Sequence, residues 1–352
     1  MDNKPKLLFR YRPSTQYAVE AVLEKKTFAT CPIQLNDALD SSIVFDSIDL
    51  TNKLMKSKKM RVRFRDRLFL TLDRKMEEFS SFEEYAADLK NAQESAERKL
   101  ADPKSLPVIQ NYVSFLALDM IKEFRRSFAV VSFCSEGQSQ IMWSHYSSDS
   151  SGFVLAYIFE NLTCSLQKWV NERYSRYSDT QRSIFGLHKV TYCESFVGGT
   201  EYIYKCIMKR REVNSTRESF LKSISTQEDA NFVLSLLTEK RKEWSYEGEY
   251  RLIIPFDDVY CDEEMFNELN DCTGNSNHNV YYTNIGNLQP DAIYFGEKTT
   301  LVNMVALASF CKAYDIPLFR QNLLSLQRTG NMNISQVDPE DVIRIKIRKD
   351  IH

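Results

Sequence analysis

The sequence is poor in glycine and histidine, and it carries almost no net charge. Its 352 residues include 10 glycines and 4 histidines, and the formal net charge at pH 7 is −2. So little glycine argues against long flexible linkers and against disorder. A nearly balanced charge gives the whole chain no electrostatic preference for nucleic acid or for a membrane surface, so any such preference must be local.

Metal-binding and membrane-spanning patterns are also missing from the sequence. None of the 8 cysteines forms a C-x-x-C pair, and the histidines are not at ligand spacing, so we expect no structural zinc site. No run approaches the roughly 18 apolar residues of a membrane span, and the first residues lack the apolar core of a signal peptide. We therefore expect a reduced, cytoplasmic protein that does not enter a membrane.

Core-forming residues are abundant, with 43% apolar residues, 22 phenylalanines and 18 tyrosines. The apolar runs 128–134, 153–159 and 250–254 have the length and composition of strands. The chain lacks both a regular alternation of strands and helices and a glycine-rich phosphate loop, which disfavours a doubly wound nucleotide fold. The pattern predicts a single α+β domain over residues 1–352, with a mixed, mostly antiparallel sheet decorated by helices and a helical insertion at about 53–127.

Other segments of the second half are assigned from the same patterns. We predict a helix over 228–243, because its apolar residues follow a helical stripe. The acidic, turn-rich segment 257–279 predicts a surface loop, followed by a strand at 280–283. Alternating isoleucines predict a last strand at 342–347.

We take the stretch 242–255 as the centre of the protein, because two carboxylates bracket a glycine at the start of a predicted strand. Gly248 allows a sharp turn or a close approach of the backbone. Glu247 and Glu249 are so close in sequence that burial requires a positive group, such as Arg251 or a bound ligand, to compensate them. These charges either face water at the start of a strand or include a catalytic or ligand-orienting glutamate.

Two arginines lie on the first predicted strand, which runs from Leu7 to Pro13. Alternation places Arg10 and Arg12 on one face and Tyr11 on the other. An arginine on a core strand or in a cleft needs an anionic partner. The alternative is an edge strand whose arginines are solvated.

A third segment of interest is a short predicted helix that contains Trp143, His145 and Tyr146. It lies between two predicted strands and is followed by the polar loop 147–152. Histidine changes its charge near neutral pH, so His145 is a candidate acid, base or neutral donor. Alternatively, the two aromatic residues belong to the core and the histidine has a structural partner.

Residues 53–75 form a strongly basic stretch in which only Asp66 and Asp73 are acidic. It is the best candidate for a nucleic-acid contact, through neutralisation of phosphates and stacking on Phe64 and Phe69. A solvated helix face is the alternative. The nucleic-acid-binding candidates are Lys58, Lys59, Arg61, Arg63 and Arg65.

Taken together, these motifs resemble a bacterial family catalogued as domain of unknown function 2971. The resemblance spans about Leu7 to Phe319, and its name supplies no activity. Its most specific elements are the Met-Trp-x-His-Tyr and Trp-x-x-Glu-x-Glu-x-Arg patterns. The motifs that carry it are Phe9–Arg12, Asn36–Asp37, Phe133–Ser135, Met142–Tyr146 with Gly152, Trp244–Arg251 and Ile293–Gly296.

The same order of motifs also resembles ADP-ribosyltransferases, a likeness that implies NAD as substrate and a related fold. It implies that a strand arginine holds the pyrophosphate, which needs a cation, and that aromatic residues wall the nicotinamide. It further implies that a carboxylate stabilises the positive charge that builds on the ribose. The implied cofactor-binding residues are Arg10, Arg12, Tyr11 and Trp143, and the implied catalytic residues are Glu249, Glu247, Tyr146 and His145.

The leading hypothesis is therefore an NAD-consuming enzyme of the ADP-ribosyltransferase kind, a toxin or phage-defence effector that modifies nucleic acid or protein and has a partner protein. The alternative is a non-catalytic nucleic-acid-binding or regulatory protein that uses residues 53–75, and a third hypothesis is a metal-dependent nuclease that uses Glu247 and Glu249. The enzyme hypothesis predicts that the arginine strand, the 143–146 helix and the carboxylate pair line one cleft, with the carboxylates near arginine.

Overall fold

The computed structural model describes residues 4–35, 37, 40–72, 75–195, 198–209, 217–256, 282–284, 286, 288–322 and 333–349. The chain forms two compact units. The first, here called the sheet unit, consists of Met1–Ser41, Arg126–Ser195 and Ser225–His352. The second, the helical unit, consists of Ser42–Arg125 and Phe196–Ile224. The predicted helical insertion at about 53–127 lies almost entirely within the helical unit, which also takes in a later segment.

The described helices and strands alternate irregularly along the chain. In the first half they are β1 (Leu7–Arg12), α1 (Gln16–Leu23), β2 (Phe28–Thr30), α2 (Ser47–Lys56), α3 (Lys58–Phe64), α4 (Phe82–Ala101), α5 (Leu106–Arg126), β3 (Phe128–Cys134), α6 (Gln140–Tyr146), β4 (Phe153–Ile158) and α7 (Phe159–Arg173). In the second half they are α8 (Asp179–Arg182), β5 (Gly186–Lys189), β6 (Thr191–Cys193), α9 (Thr200–Lys209), α10 (Arg217–Ser223), α11 (Gln227–Thr238), β7 (Glu239–Arg241), β8 (Glu249–Pro255), β9 (Tyr282–Asn284), β10 (Ala292–Phe295), α12 (Leu301–Tyr314), β11 (Leu318–Asn322), β12 (Asn333–Val337) and α13 (Pro339–Lys349).

A ten-stranded sheet forms the centre of the sheet unit. Its main strand order is β12-β11-β10-β4-β1-β3-β2-β9, and β8 pairs with both β3 and β5. The described pairs of this sheet are antiparallel, except that β10 and β11 run parallel. A separate parallel pair joins β6 to β7. The predicted α+β class with a mixed, mostly antiparallel sheet is thus confirmed.

The sheet opens into a fork beside β3. Strand β8 pairs with β3 along its whole length, from Phe128 to Cys134. On the other edge of β3, β1 pairs with it at one position, where Phe9 lies opposite Cys134. Strand β2 also pairs with β3 at one position, where Thr30 lies opposite Val130. Strands β1 and β3 therefore diverge, and the space between them is the fork.

The two faces of β1 carry different chemistry, as the alternation predicts. Tyr11 packs against an apolar cluster that includes Trp143 of α6. Arg10 and Arg12 border a small cavity on the side of α1, beside Ala18 and other apolar residues. Arg10 and Arg12 thus lie on the side of β1 that α1 covers, and they also reach the fork.

The helical unit is built from α2, α3, α4, α5, α9 and α10. Helix α5 buries a stripe at helical spacing that includes Val113, Leu116 and Met120. Its Phe124 ring packs against Phe220 of α10, with ring centres 5.6 Å apart. Within the described residues, no helix combines the length and the apolar character that crossing a membrane requires.

One secondary-structure prediction is wrong, and another is confirmed over only the first part of its range. The predicted strand 342–347 is part of α13, because Asp338 accepts the Glu340 amide at 2.8 Å and Pro339 occupies the first turn. The predicted helix 228–243 ends at Thr238 and is followed by β7 and by the 3-10 helix Lys242–Glu247. The predicted loop 257–279 lies outside the described residues.

Candidate active site

The fork between β1 and β3 contains a cleft with a cavity volume of about 190 Å³. All three predicted segments reach it, so the prediction that they line one cleft is confirmed. The lining residues are Phe9, Arg10, Tyr11, Arg12, Thr30, Leu35, Asp40, Val130, Ser132, Phe133, Cys134, Met142, Tyr146, Lys240, Glu247, Glu249 and Arg251.

Gly248 brings the two carboxylates to the cleft by reversing the chain between them. It ends the 3-10 helix Lys242–Glu247 in the left-handed region, with φ of 50°. A Cβ atom at this position would lie 2.4 Å from the Ser135 hydroxyl oxygen, so a side chain here would displace that hydroxyl and strain the backbone. Of the two roles that the sequence allows for Gly248, the structure shows the turn.

Glu249 is held by a buried arginine on its own strand. Its Oε1 accepts from Arg251 Nε at 2.8 Å and its Oε2 accepts from Nη2 at 3.0 Å. Residues i and i+2 of a strand share a face, which places the two side chains together. Arg251 is 0% exposed, and its other donors reach Asp40, whose Oδ1 lies 2.8 Å from Nη1.

Glu247 is held by a lysine instead of an arginine. Lys240 of β7 donates to Glu247 Oε2 at 2.6 Å and to Glu249 Oε2 at 3.3 Å. Its ammonium also lies 3.8 Å from Asp40 and 4.7 Å from the centre of the Trp244 ring. Lys240 thus bridges the three carboxylates that line the cleft.

The cluster contains three carboxylates and two cations, which leaves one excess negative charge. Burial opposes ionisation of Glu249, but the charges of Arg251 and Lys240 outweigh it and lower its pKa to about 2. For Glu247, burial outweighs the opposing charge of Lys240, and Glu249 adds repulsion, so its pKa is raised. The two neighbouring carboxyl groups are therefore driven in opposite directions.

Tyr146 completes the surroundings of Glu247, since its hydroxyl donates to Glu247 Oε1 at 2.5 Å. His145, the preceding residue, is exposed and does not line the cleft. Its Nδ1 lies 3.4 Å from the Tyr246 hydroxyl. Of the two predicted catalytic residues on α6, Tyr146 is the one in contact with the carboxylate pair.

The predicted cofactor-binding residues divide between the cleft and the core. Arg10 and Arg12 line the cleft, and Arg10 donates to the Phe28 carbonyl at 2.9 Å. Burial, and next the charge of Arg12, lower the pKa of Arg10. Tyr11 also lines the cleft, but its ring packs edge-to-face on Trp143, with centres 5.4 Å apart.

Trp143 is a core residue and does not line the cleft. Its side chain is 1% exposed, and its indole nitrogen donates to the Gly137 carbonyl at 3.3 Å. The ring lies among Met142, Cys134 and Val154. The assignment of Trp143 as a cofactor-binding residue is therefore corrected: its side chain packs in the core and anchors α6 on the sheet.

The five nucleic-acid-binding candidates of the basic segment lie on α3 and at the start of the following π-helical turn, Arg65–Phe69, of the helical unit. Arg61 pairs with Glu97 at 3.1 Å, and Arg65 pairs with Asp66 at 2.7 Å. Lys59 donates to a backbone carbonyl at 3.3 Å. Part of the predicted nucleic-acid-binding charge is therefore already compensated.

Two other candidates of this segment, Lys58 and Arg63, have no carboxylate within 4.0 Å among the described residues. Phe64 is 0% exposed and packs edge-to-face on Tyr112, with ring centres 5.9 Å apart. Stacking of a base on Phe64 is thus incompatible with its burial. Nucleic-acid binding by this segment stays a prediction.

The sequence prediction missed Asp40 and Lys240. Lys240 lies in a charged run that resembles the end of a helix, and a three-residue strand is too short to show a period. Asp40 lies 211 residues from Arg251, and no local pattern connects them. The sequence offered only an indirect indication of Lys240: if Glu247 and Glu249 are both buried, one arginine does not balance their charge, and a further cation is needed.

Comparison with known proteins agrees with the motif analysis. No curated protein and no solved structure matches the chain. The family described as "Protein of unknown function (DUF2971)" matches residues 142–252. The matched segment contains Tyr146, Lys240, Glu247, Glu249 and Arg251. The resemblance to the DUF2971 family is thereby confirmed over residues 142–252.

Proposed function

We propose that the cleft breaks the N-glycosidic bond of NAD and transfers ADP-ribose to an acceptor, with Glu247 as the proton-carrying group. The observation that carries this proposal is the pair Glu247 and Glu249, which share one cleft while their pKa values are driven apart. Such a pair supplies one carboxylate that stays ionised and one that exchanges protons. Glycosyl transfer uses both kinds of carboxyl group.

In the proposed step, the bond between the ribose C1′ and the nicotinamide nitrogen breaks. Its electron pair leaves with the nitrogen and neutralises the pyridinium charge. The excess negative charge of the cluster, which includes Glu249, stabilises the positive charge on the ribose. The acceptor then forms a bond to C1′ through a lone pair and gives its proton to Glu247. Water as acceptor yields free ADP-ribose.

The cavity size limits how NAD would bind. At about 190 Å³, it is smaller than the 300–1,000 Å³ typical of small-molecule pockets. The cleft would therefore enclose the nicotinamide-ribose end and leave the adenosine end outside. Arg10 supports this arrangement. It lines the cleft and has no carboxylate within 4.0 Å among the described residues, so its positive charge can pair with the NAD pyrophosphate.

Two other hypotheses have less support. A metal-dependent nuclease needs free carboxylates, but Lys240 and Arg251 occupy Glu247 and Glu249, and the described residues contain no group of three or more potential ligands arranged to hold a metal. No contact of the described residues favours the nucleic-acid-binding alternative over a solvated surface. A role as toxin or phage-defence effector stays a prediction.

The test is incubation of the protein with adenine-labelled NAD, alone and with cell protein, DNA or RNA. Nicotinamide release and label transfer are measured. We expect Glu247→Gln to lower either rate by at least about 100-fold, while Glu243→Gln, which changes an exposed carboxylate paired with Arg241, retains activity. Intact NAD after incubation of folded protein with every acceptor class would overturn the proposal.

A further inference from the structure

Asp40 belongs to the charged cluster although it lies far from the other members in sequence. Its side chain is 1% exposed. Its two oxygens accept from the two terminal nitrogens of Arg251, at 2.8 Å for Oδ1 and 2.5 Å for Oδ2. The Ser41 hydroxyl donates to Oδ1 at 3.0 Å. A carboxylate that faces a guanidinium through both oxygens fixes its orientation.

This contact decides where the charge of Arg251 acts. The guanidinium donates to Glu249 through Nε and Nη2, and to Asp40 through Nη1 and Nη2. Nη1 also donates to the Leu237 carbonyl at 2.8 Å. With its donors so engaged, Arg251 donates to Asp40, Glu249 and the Leu237 carbonyl and makes no hydrogen bond to Glu247 among the described contacts.

Lys240 is left as the cation that serves Glu247. Among the described residues, it is the basic side chain within 4.0 Å of the Glu247 carboxylate. Its ammonium is shared, however, because Glu249 lies 3.3 Å away and Asp40 lies 3.8 Å away. Asp40 thus competes for the charge of both cations without touching Glu247.

We propose that Asp40 is a positioning residue that keeps Glu247 short of positive charge and so favours a proton on it. Ionising Glu247 while Asp40 is charged produces three buried carboxylates against two cations. Removing the Asp40 charge gives two against two, so Glu247 should ionise more readily. The catalytic meaning of this effect rests on the proposed function, but the effect itself does not.

The other groups around Glu247 do not replace Asp40 in this role. Tyr146 donates to the carboxylate, and Lys240 and Glu249 touch it or each other directly, so changing any of them alters the immediate contacts. Asp40 can be changed without removing a hydrogen bond of Glu247. Cys134 of β3, Tyr192 of β6 and Tyr246 also lie near Glu247. Burial and the Glu247 charge raise the pKa values of these three groups, so they are neutral where the carboxyl group titrates.

The test is a pH titration of the Glu247 carboxyl carbon by NMR in protein labelled at glutamate Cδ. The signal is assigned by its absence in Glu247→Gln. In Asp40→Asn, we expect the midpoint to fall by roughly one pH unit. Asp291→Asn removes a carboxylate of the same unit that accepts from the Ile158 amide and does not line the cleft, and it should leave the midpoint unchanged.

An unchanged or raised midpoint in folded Asp40→Asn would overturn the proposal. If that variant does not fold, Asp40→Ser removes the same charge without placing an amide against Arg251, and the same fall in midpoint is expected. The titration needs no substrate, so failure of the NAD assay leaves this test intact. If both proposals hold, the limb of the pH–rate profile governed by Glu247 should move down with the NMR midpoint.

Discussion

The Tyr146 hydroxyl donates a hydrogen bond of 2.5 Å to Glu247, a residue 101 positions further along the chain. This bond joins the end of α6 to the turn that carries the carboxylate pair. A donor to the ionised form stabilises it, so Tyr146 opposes the effect of burial on Glu247. The protonation of Glu247 therefore depends on this hydrogen bond.

Replacing Tyr146 with phenylalanine should raise the pKa of Glu247 further. The carboxylate loses a donor to its charged form, and the unfolding free energy should fall by about 1–3 kcal/mol. Carboxyl NMR and urea unfolding measure the two effects. Tyr246→Phe is the matched control, because its hydroxyl contacts His145 and not Glu247. A lowered midpoint in Tyr146→Phe would contradict the role given to this bond.

Replacing Glu249 with glutamine should destabilise the fold. The change removes the charge-assisted contacts that Glu249 makes with Arg251 and Lys240 in a buried site, at a cost of about 3–5 kcal/mol. Chemical unfolding measures the loss. Glu243→Gln, at an exposed pair with Arg241, should stay within about 0.5 kcal/mol of the wild type. Equal stability of the two variants would show that the buried contacts of Glu249 contribute little.

Stability should also depend on pH through Glu249. Its pKa falls from the ordinary 4.5 to about 2 on folding, so its contribution is fully present above about pH 4.5 and is lost as the pH falls toward 2. The difference corresponds to about 3 kcal/mol. Unfolding free energies of wild type and Glu249→Gln, measured from pH 6 down to 2, should converge. Curves that stay parallel through this range would refute the assignment.

Glu247 should contribute to the pH dependence with the opposite sign. Its pKa is raised on folding, so the folded state binds more protons than the unfolded state just above pH 4.5. The contribution of Glu247 to the free energy of unfolding therefore falls as the pH rises from 4.5 to the raised pKa. The wild type should lose stability relative to Glu247→Gln between pH 4.5 and the raised pKa, and a gain there would contradict the direction of the shift.

Replacing Lys240 with methionine should be far more damaging than the same change at Lys242. Lys240 compensates three carboxylates within 4.0 Å, and its loss should cost about 3–5 kcal/mol and raise the pKa of Glu247. Lys242 pairs with the exposed Glu194, and its replacement should cost less than about 1 kcal/mol. Thermal unfolding of the two variants provides the comparison.

Local chemistry made part of the site predictable. The pair Glu247 and Glu249 shares the cleft because Gly248 reverses the chain, and Arg251 joins Glu249 because alternate residues of a strand share a face. Both relationships can be read within five residues of sequence. The class of the sheet followed from apolar runs of strand length in the same way.

The rest depends on contacts that the sequence does not encode locally. Trp143 and Tyr146 belong to one short helix, yet one ring is in the core and the other reaches the cleft, since the direction of each side chain depends on how α6 packs on β1. Asp40 finds Arg251 only through the completed sheet. The segment 342–347 is so short that its apolar residues fit both a strand period and a helix period. Capping by Asp338 at the start of α13 favours the helix.

The long separation of Asp40 and Arg251 has a consequence for synthesis on the ribosome. Asp40 emerges 211 residues before its partner, and β3 emerges before β8, which covers one of its edges. Until residue 255 has left the exit tunnel, the nascent chain carries an uncovered edge of the apolar strand β3, and Asp40 lacks its partner Arg251. Such non-local pairing slows folding, and the incomplete chain exposes surface that promotes aggregation. Fragments that end before β8 would lack the charged cluster, so premature termination yields no cleft.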